Sequence, residues 1–235
     1  MNLTGIDISL LSTAVCIKNQ DQTAKLFSYI NEPPSSKWVK ALSDVVNIVS
    51  IPNVPRNPNY MLNEVEKLVH FDVLSNVIVK GILDNLKPDE TNTVVIEGYS
   101  YSSNTNAILD IVTFSTLIRY KISRMIPYLN LKIVSPASLK LSTGMRTYGA
   151  KPFLLGKKGQ ILKKEPPCVN HEGVVAGKFT KHEMCKALLD GQYQHPFNHW
   201  LAENAAEILA MKKIPSPISD IVDAIHLSEC LNIKK

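Results

Sequence analysis

Four acidic residues have types and spacing suited to chemistry. Asp7 interrupts an apolar strand, Gly5-Ile-Asp7-Ile-Ser9, and Glu97 ends the apolar run Val94-Val-Ile96. Asp220 and Asp223 lie three apart, so a helix presents both on one face. Singly, each has an ordinary explanation. An acid at a strand end often starts a loop, and acids near a helix N-terminus complement the macrodipole. The ordered set is different, because four carboxylates brought together do not all ionise unless something positive intervenes. Mg²⁺ is the natural candidate, a hard cation that takes carboxylate oxygens and keeps waters for substrate phosphates. Two such ions about 4 Å apart clamp the attacking water and the leaving oxygen of a phosphodiester. The expected chemistry is metal-dependent phosphodiester hydrolysis.

These residues need a scaffold. Leu3 to Ile8, Thr13 to Lys18 and Thr23 to Ile30 read as strands, with a turn at Asn19 to Gln22. The segment of about 31–59 holds five of the fourteen prolines and reads as irregular connection, with room for a short helix within Trp38 to Val49. Tyr60 to Leu86 repeats Leu62, Val65, Leu68/Val69, Val73, Val77, Ile82 and Leu86 at helical spacing. Thr93 to Glu97 has the short apolar run of a strand buried on both faces. A helix from about Asn104 to Ile126 and a strand from Leu131 to Val134 follow, and Ser135-Pro136 opens a short helix. Phe153 to Leu162 has the pattern of a hairpin turning at Gly156-Lys-Lys-Gly159. Thr180-Lys-His-Glu183 is a capping box, and a last helix runs from Ser216-Pro217 to about Leu231. A hairpin followed by alternating helices and strands predicts an α/β domain of RNase H-like order, with a mixed five-stranded sheet flanked by helices. Residues 1–235 form one domain in this reading. If the first strand neighbours the one ending at Glu97, Asp7 and Glu97 sit side by side and the last helix lays its acids across them.

The same motifs carry a family resemblance. Gly5-Ile-Asp7-Ile-Ser-Leu-Leu-Ser-Thr13, Val95-Ile-Glu97-Gly-Tyr-Ser-Tyr101, Pro136-Ala-Ser-Leu-Lys140 with Gly144, Lys181 opening a helix, and Asp220-Ile-Val-Asp223-Ala224 occur in the order of RuvC-like Holliday junction resolvases. The glycine and tyrosines after Glu97 look most like the bacteriophage members. The resemblance implies a homodimer that nicks branched DNA symmetrically with Mg²⁺ or Mn²⁺, leaving 5′-phosphate and 3′-hydroxyl ends. It implies metal-ligand roles for Asp7, Glu97, Asp220 and Asp223, and places Lys140 and Lys181 near the scissile strand, with Lys181 in the catalytic set. Tyr99 or Tyr101 falls where the family often carries an aromatic that stacks on a junction base; packing at the sheet edge is the other reading. Three features depart from the pattern. Ala14 replaces a common glycine, the 104–126 helix lacks the glycine used for close dimer packing, and Met145 to about Val175 looks inserted.

Charge supports a polyanionic partner through its distribution. The net charge of +5 is small, but Arg146, Lys151, Lys157, Lys158, Lys163, Lys164, Lys178 and Lys181 crowd the stretch from Ser142 to Lys181 against only Glu165 and Glu172. The rest of the chain is close to neutral. A basic insertion over about 145–178, beside a phosphodiester-cutting site, suits a DNA backbone; a solvated surface loop is the alternative. It also contains Cys168-Val-Asn-His171 and, just beyond, His182-Glu-Met-Cys185, spacings compatible with a structural zinc. Against this, Cys185 at i+3 from His182 could simply face the core. His226 follows Asp223 by three, either approaching the metal site or lying on the helix surface.

The composition, 45% hydrophobic and 20% charged, excludes a disordered chain or a disulfide miniprotein. No apolar run reaches bilayer-spanning length, and no signal peptide is evident. With four cysteines and no export signal, a reducing cytoplasm is expected, that of a bacterial host if the gene is phage-borne. A sugar-kinase-like ATPase shares the Gly-Ile-Asp-x-Ser strand but needs a second domain and a second phosphate loop. A nuclease for flaps, RNA–DNA hybrids or packaging intermediates, and a non-cleaving structure-selective DNA-binding protein, remain as alternatives.

Overall fold

The computed structural model describes residues 1–19, 24–30, 37–52, 57–87, 90–98, 105–149, 168–191 and 195–230. The expected hairpin at Phe153 to Leu162 lies outside them, as do Tyr99, Tyr101, Lys151, Lys157, Lys158, Lys163 and Lys164.

Strands β1 (Asn2–Asp7), β2 (Ser12–Lys18) and β3 (Ala24–Ile30) form an antiparallel meander. They are followed by α1 (Lys37–Leu42), β4 (Asn47–Ser50) and the long α2 (Tyr60–Leu83). Then come β5 (Asn92–Glu97), α3 (Thr105–Met125), β6 (Leu129–Val134) and α4 (Pro136–Tyr148). A 3-10 turn at Ala176–Lys178 leads into α5 (Lys181–Asp190), α6 (Pro196–Glu203), α7 (Ala205–Ala210) and α8 (Ser216–Glu229). The sheet order is β4-β3-β2-β1-β5-β6, with β5 parallel to β1 and β6 parallel to β5. This is a mixed α/β sheet flanked by helices, as the RNase H-like reading requires.

The sheet has six strands rather than five. The sixth, β4, pairs in parallel with β3 at the edge and lies within the Pro-rich connection, with α1 just before it. Prolines hid it: Pro52, Pro55 and Pro58 follow β4, and none interrupts it.

Strand alternation assigns the two faces. On one side Ile6, Val15, Ile17, Val94 and Ile96 pack under α2 and α3. On the other, Ala14, Cys16 and Val95 pack under α8 and its neighbours α4 to α7. Asp7 shares the parity of Gly5, and Glu97 that of Val95, so both acids belong to the α8 face.

The helix starts follow their caps. Ser135 Oγ accepts from the Ser138 N–H with Pro136 at the first position of α4, and Thr180 with Glu183 completes a reciprocal capping box on α5. α2 departs from the expected orientation. Phe71, Leu74, Ile78, Val79 and Ile82 face the sheet, whereas Leu62, Val65, Leu68, Val69 and Val73 are each at least half exposed and Val77 is exposed as well. Besides the predicted positions α2 carries Phe71, Leu74, Ile78 and Val79, and the sheet covers these together with Ile82 of the predicted set.

Candidate active site

The site is assembled at the C-terminal ends of two neighbouring parallel strands. Ile6 stands opposite Ile96 in the β1–β5 register, so the next residues, Asp7 and Glu97, emerge side by side. α8 lies directly across β1, so close that a Cβ on Gly5 would overlap the Ala224 carbonyl oxygen and the Ser228 nitrogen. That contact holds Asp223 over the strand ends. Ligand-competent oxygens of Asp7, Glu97 and Asp223 all lie within 4.8 Å of one another.

Asp220 stands beside this triad with its oxygens engaged. Ser216 Oγ donates to Oδ2 at 2.7 Å and Ser219 Oγ donates to Oδ1 at 3.0 Å. The sequence reading of four equivalent acids missed these two hydroxyls, although both lie within four residues of Asp220. It also missed Arg119 on α3, which donates to the Glu97 carbonyl oxygen at 3.3 Å and anchors the end of β5.

The electrostatics are those of acids crowded in a dry place. Burial, then the charges of Asp220, Asp223 and Glu97, raise Asp7 well above the usual carboxylate range against the relief from Lys181. Burial and Asp223 push Glu97 up to about 7, opposed by Lys181 and Lys140. Burial lifts Asp220 to about 6 in spite of Lys181 and its two serine donors. Lys181 pairs with Asp223. Burial of its amine would lower the lysine, but Asp223, Asp7 and Asp220 outweigh that and hold it well above the ordinary lysine range. Nearly half of the Lys181 side chain is open to solvent, at 46%, while its ammonium is held against Asp223.

The residues fit a hard divalent cation. The donor set is all carboxylate oxygen, three acids converge, and among the described residues the buried Asp223 Oδ1 has no hydrogen-bond partner.

Other expected site residues are distributed differently. Lys140 is half-buried with its charge acting on Glu97, and Lys178 is exposed. Arg146, expected on DNA, turns inward: its Nη2 bonds His226 Nδ1 at 2.9 Å, between α4 and α8. His226, read as near the metal or on the surface, is fully buried and bonds the Met184 carbonyl. The four candidate zinc ligands do not converge. Cys168 and Cys185 are buried thiols in the core, and burial pushes Cys185 up to about 12. His182 Nε2–H is spent on the Met211 carbonyl at 2.8 Å, and His171 packs edge-on against Tyr148. Among the described residues, only the acidic triad gathers donors within ligand reach.

No protein-family model and no curated protein matches this chain. Among solved structures it is similar to Thermus thermophilus RuvC, with 10% identity, a TM-score of 0.46 and coverage of 98% of this chain and 92% of that one. It is likewise similar to T. thermophilus RuvC in complex with a Holliday junction substrate, with 9% identity, a TM-score of 0.47 and the same coverages. The yeast mitochondrial Holliday junction resolvase Ydc2 matches with 13% identity and a TM-score of 0.49, over 97% of this chain and 75% of that one.

Proposed function

We propose that this protein is a metal-dependent endonuclease that hydrolyses phosphodiesters in branched DNA, as a homodimer. The observation that carries the chemistry is the convergence of Asp7, Glu97 and Asp223 within 4.8 Å at the ends of two parallel strands, with Lys181 against them. The branched substrate rests on the ordered motif resemblance from Gly5 to Ala224. Two Mg²⁺ or Mn²⁺ ions bound there would activate water and stabilise the leaving oxygen.

The chain's own groups have distinct tasks. Asp7, Glu97 and Asp223 would hold the ions, and Asp220 completes the anionic wall with its carboxylate oriented by two serines. Lys181, partly open to solvent, stabilises charge that develops on the scissile phosphate. Lys140, whose charge acts on Glu97, and the exposed Lys178 would bind flanking phosphates, with the lysines of the basic insertion as further candidates by their charge alone. Tyr99 and Tyr101, two and four residues after Glu97 in the sequence, would be the base-contacting aromatics that the motif resemblance implies.

The dimer has its own support. Met61, Leu62, Val65, Leu68, Val69 and Val73 form an exposed stripe on α2, about 18 Å long at 1.5 Å per residue. Their open surface is on the order of 600 Å², at the upper end of what a monomer shows and below the roughly 800 Å² per partner of a standard interface. A second copy presents the same stripe, and the two cover each other about a two-fold axis.

The test is incubation of purified protein with labelled four-way junction, flap, RNA–DNA hybrid and linear duplex, with and without Mg²⁺, beside Asp7→Asn and Asp223→Asn. Preferred cutting of the junction, lost in both variants, is expected. Cleavage surviving in both would sink the mechanism. Equal cutting of duplex and junction would sink the substrate, and tight junction binding without any cutting would favour a structure-selective binding protein.

A further inference from the structure

Two contacts tie α5 to α8, one helical turn apart on each helix. Lys181, the first residue of α5, pairs with Asp223. Three residues along each helix, the Met184 carbonyl meets His226 Nε2 at 3.0 Å. The other ring nitrogen meets Arg146 Nη2 from α4 at 2.9 Å. The protonation pattern follows from the partners. A guanidinium only donates and a carbonyl only accepts, so Nδ1 carries the lone pair and Nε2 the proton. The imidazole is therefore a neutral, directional link among three helices. A second bond ties α4 to the end of α8, from Ser142 Oγ to the Cys230 carbonyl at 3.1 Å.

Such a link has a specific mechanical consequence. Apolar side chains in this core would hold α8 equally well but would let it slide or rotate slightly under α5. Hydrogen bonds with defined donors and acceptors fix both motions, and placement errors of about 1 Å are costly at a reacting centre. The sheet side of α8 is already held by the close approach at Gly5, so the α5 side is where registry is set.

We infer that His226, held by Arg146, is a positioning residue that fixes the register of α8 against α5 and thereby aims the Asp223 carboxylate into the metal site and keeps Lys181 beside it. This rests on the metal-dependent reading of the triad. His226 and Arg146 touch neither substrate nor metal; they act through Asp223.

The experiment is a calorimetric Mn²⁺ titration of the full chain, wild type against His226→Leu and His226→Gln, with melting temperatures measured in parallel. Gln supplies an amide oxygen for Arg146 and an amide N–H for Met184, so it keeps the link, whereas Leu keeps the volume and loses it. Mn²⁺ affinity should fall about tenfold in His226→Leu, the size seen when residues supporting metal ligands are lost, and recover to within about threefold in His226→Gln. On junction DNA, His226→Leu should lower kcat with KM unchanged. If His226→Leu fails to fold, Arg146→Met takes its place and should weaken Mn²⁺ several-fold while His226→Gln does not. A folded His226→Leu that binds Mn²⁺ like wild type overturns the inference, as does a His226→Gln no better than His226→Leu. Wild-type protein that binds Mn²⁺ but cuts no DNA overturns the nuclease reading alone, and wild-type protein that binds no Mn²⁺ overturns both.

Discussion

The two faces of the sheet solve opposite problems. Under α8, every residue from Pro217 to Glu229 is buried, including Asp220, Asp223, His226 and Glu229. On the other face α2, the longest helix, leaves a row of large apolar side chains in solvent. Folding alone favours neither arrangement. Burying carboxylates costs desolvation, and exposing Leu and Val forfeits roughly 25 cal/mol per Å² of apolar surface. One face therefore keeps charge where a cation can repay it, and the other keeps apolar surface where a second chain can cover it. On the function proposed above, the burial pattern separates a chemical face from an assembly face.

Substitutions should separate the two as cleanly. The largest effect is expected on the chemical face, where Asp7→Asn or Asp223→Asn should lower single-turnover junction cleavage by about 10³-fold or more. Light scattering should show the oligomeric state of both variants unchanged. On the assembly face, Val65→Glu together with Val69→Lys should convert the dimer to monomer in sedimentation at micromolar concentration, weakening association by about 10²-fold or more. Mn²⁺ binding by the monomer should stay within about twofold, since neither position is near the acids. A dimer that persists in this variant would remove α2 from the assembly face.

Gly5→Ala tests the joint between the sheet and the chemical face. The added methyl has no room against Ala224 and Ser228, so α8 must lift from β1. Overpacking of this kind costs about 1–3 kcal/mol, and Tm should drop by several degrees. Gly149, by contrast, has open space around its Cβ position but a φ of +80°, so alanine there strains only the end of α4.

The acids and their strands were legible in the sequence because an Asp inside an apolar strand and a Glu at the end of one break a strong pattern. Caps were legible for a similar reason: Ser135-Pro136 and Thr180 with Glu183 are local devices whose partners lie within a turn. What the sequence could not specify was direction. Periodicity in α2 marked one set of apolar positions, and the packed sheet covers a different set that shares Ile82 with it. Arg146 counted as one more positive charge in a basic stretch, yet a partner 80 residues away draws it inward. The zinc spacing failed for the same reason, since Cys168 and Cys185 found core neighbours and His182 a backbone carbonyl. Long-range partners decide whether a polar residue serves a site or a scaffold.

The smallest expected effect is a pH dependence that separates the two faces in the metal-free protein. Glu97 at about 7 and Asp220 at about 6 hold their protons more tightly in the folded chain than as free carboxyls, and Asp7 is raised in the same direction. Between pH 4 and 7 these acids carry more protons in the folded state than in the unfolded one, so their contribution to stability falls as pH rises, whereas His226, His195 and His70, held below the ordinary histidine range by burial, contribute in the opposite direction. In EDTA the acids' contribution should fall by about 1 kcal/mol between pH 6 and 7, read by comparing the Tm slope of wild type with that of Asp7→Asn. Asp7→Asn should make the slope less negative by removing one buried acid whose value burial raises. Mg²⁺ should oppose the slope, because it binds the deprotonated acids and stabilises the folded state by mass action. Val65→Glu with Val69→Lys, on the opposite face, should leave the slope as it is. An equal change of slope in that variant would mean that the two faces are coupled through the sheet.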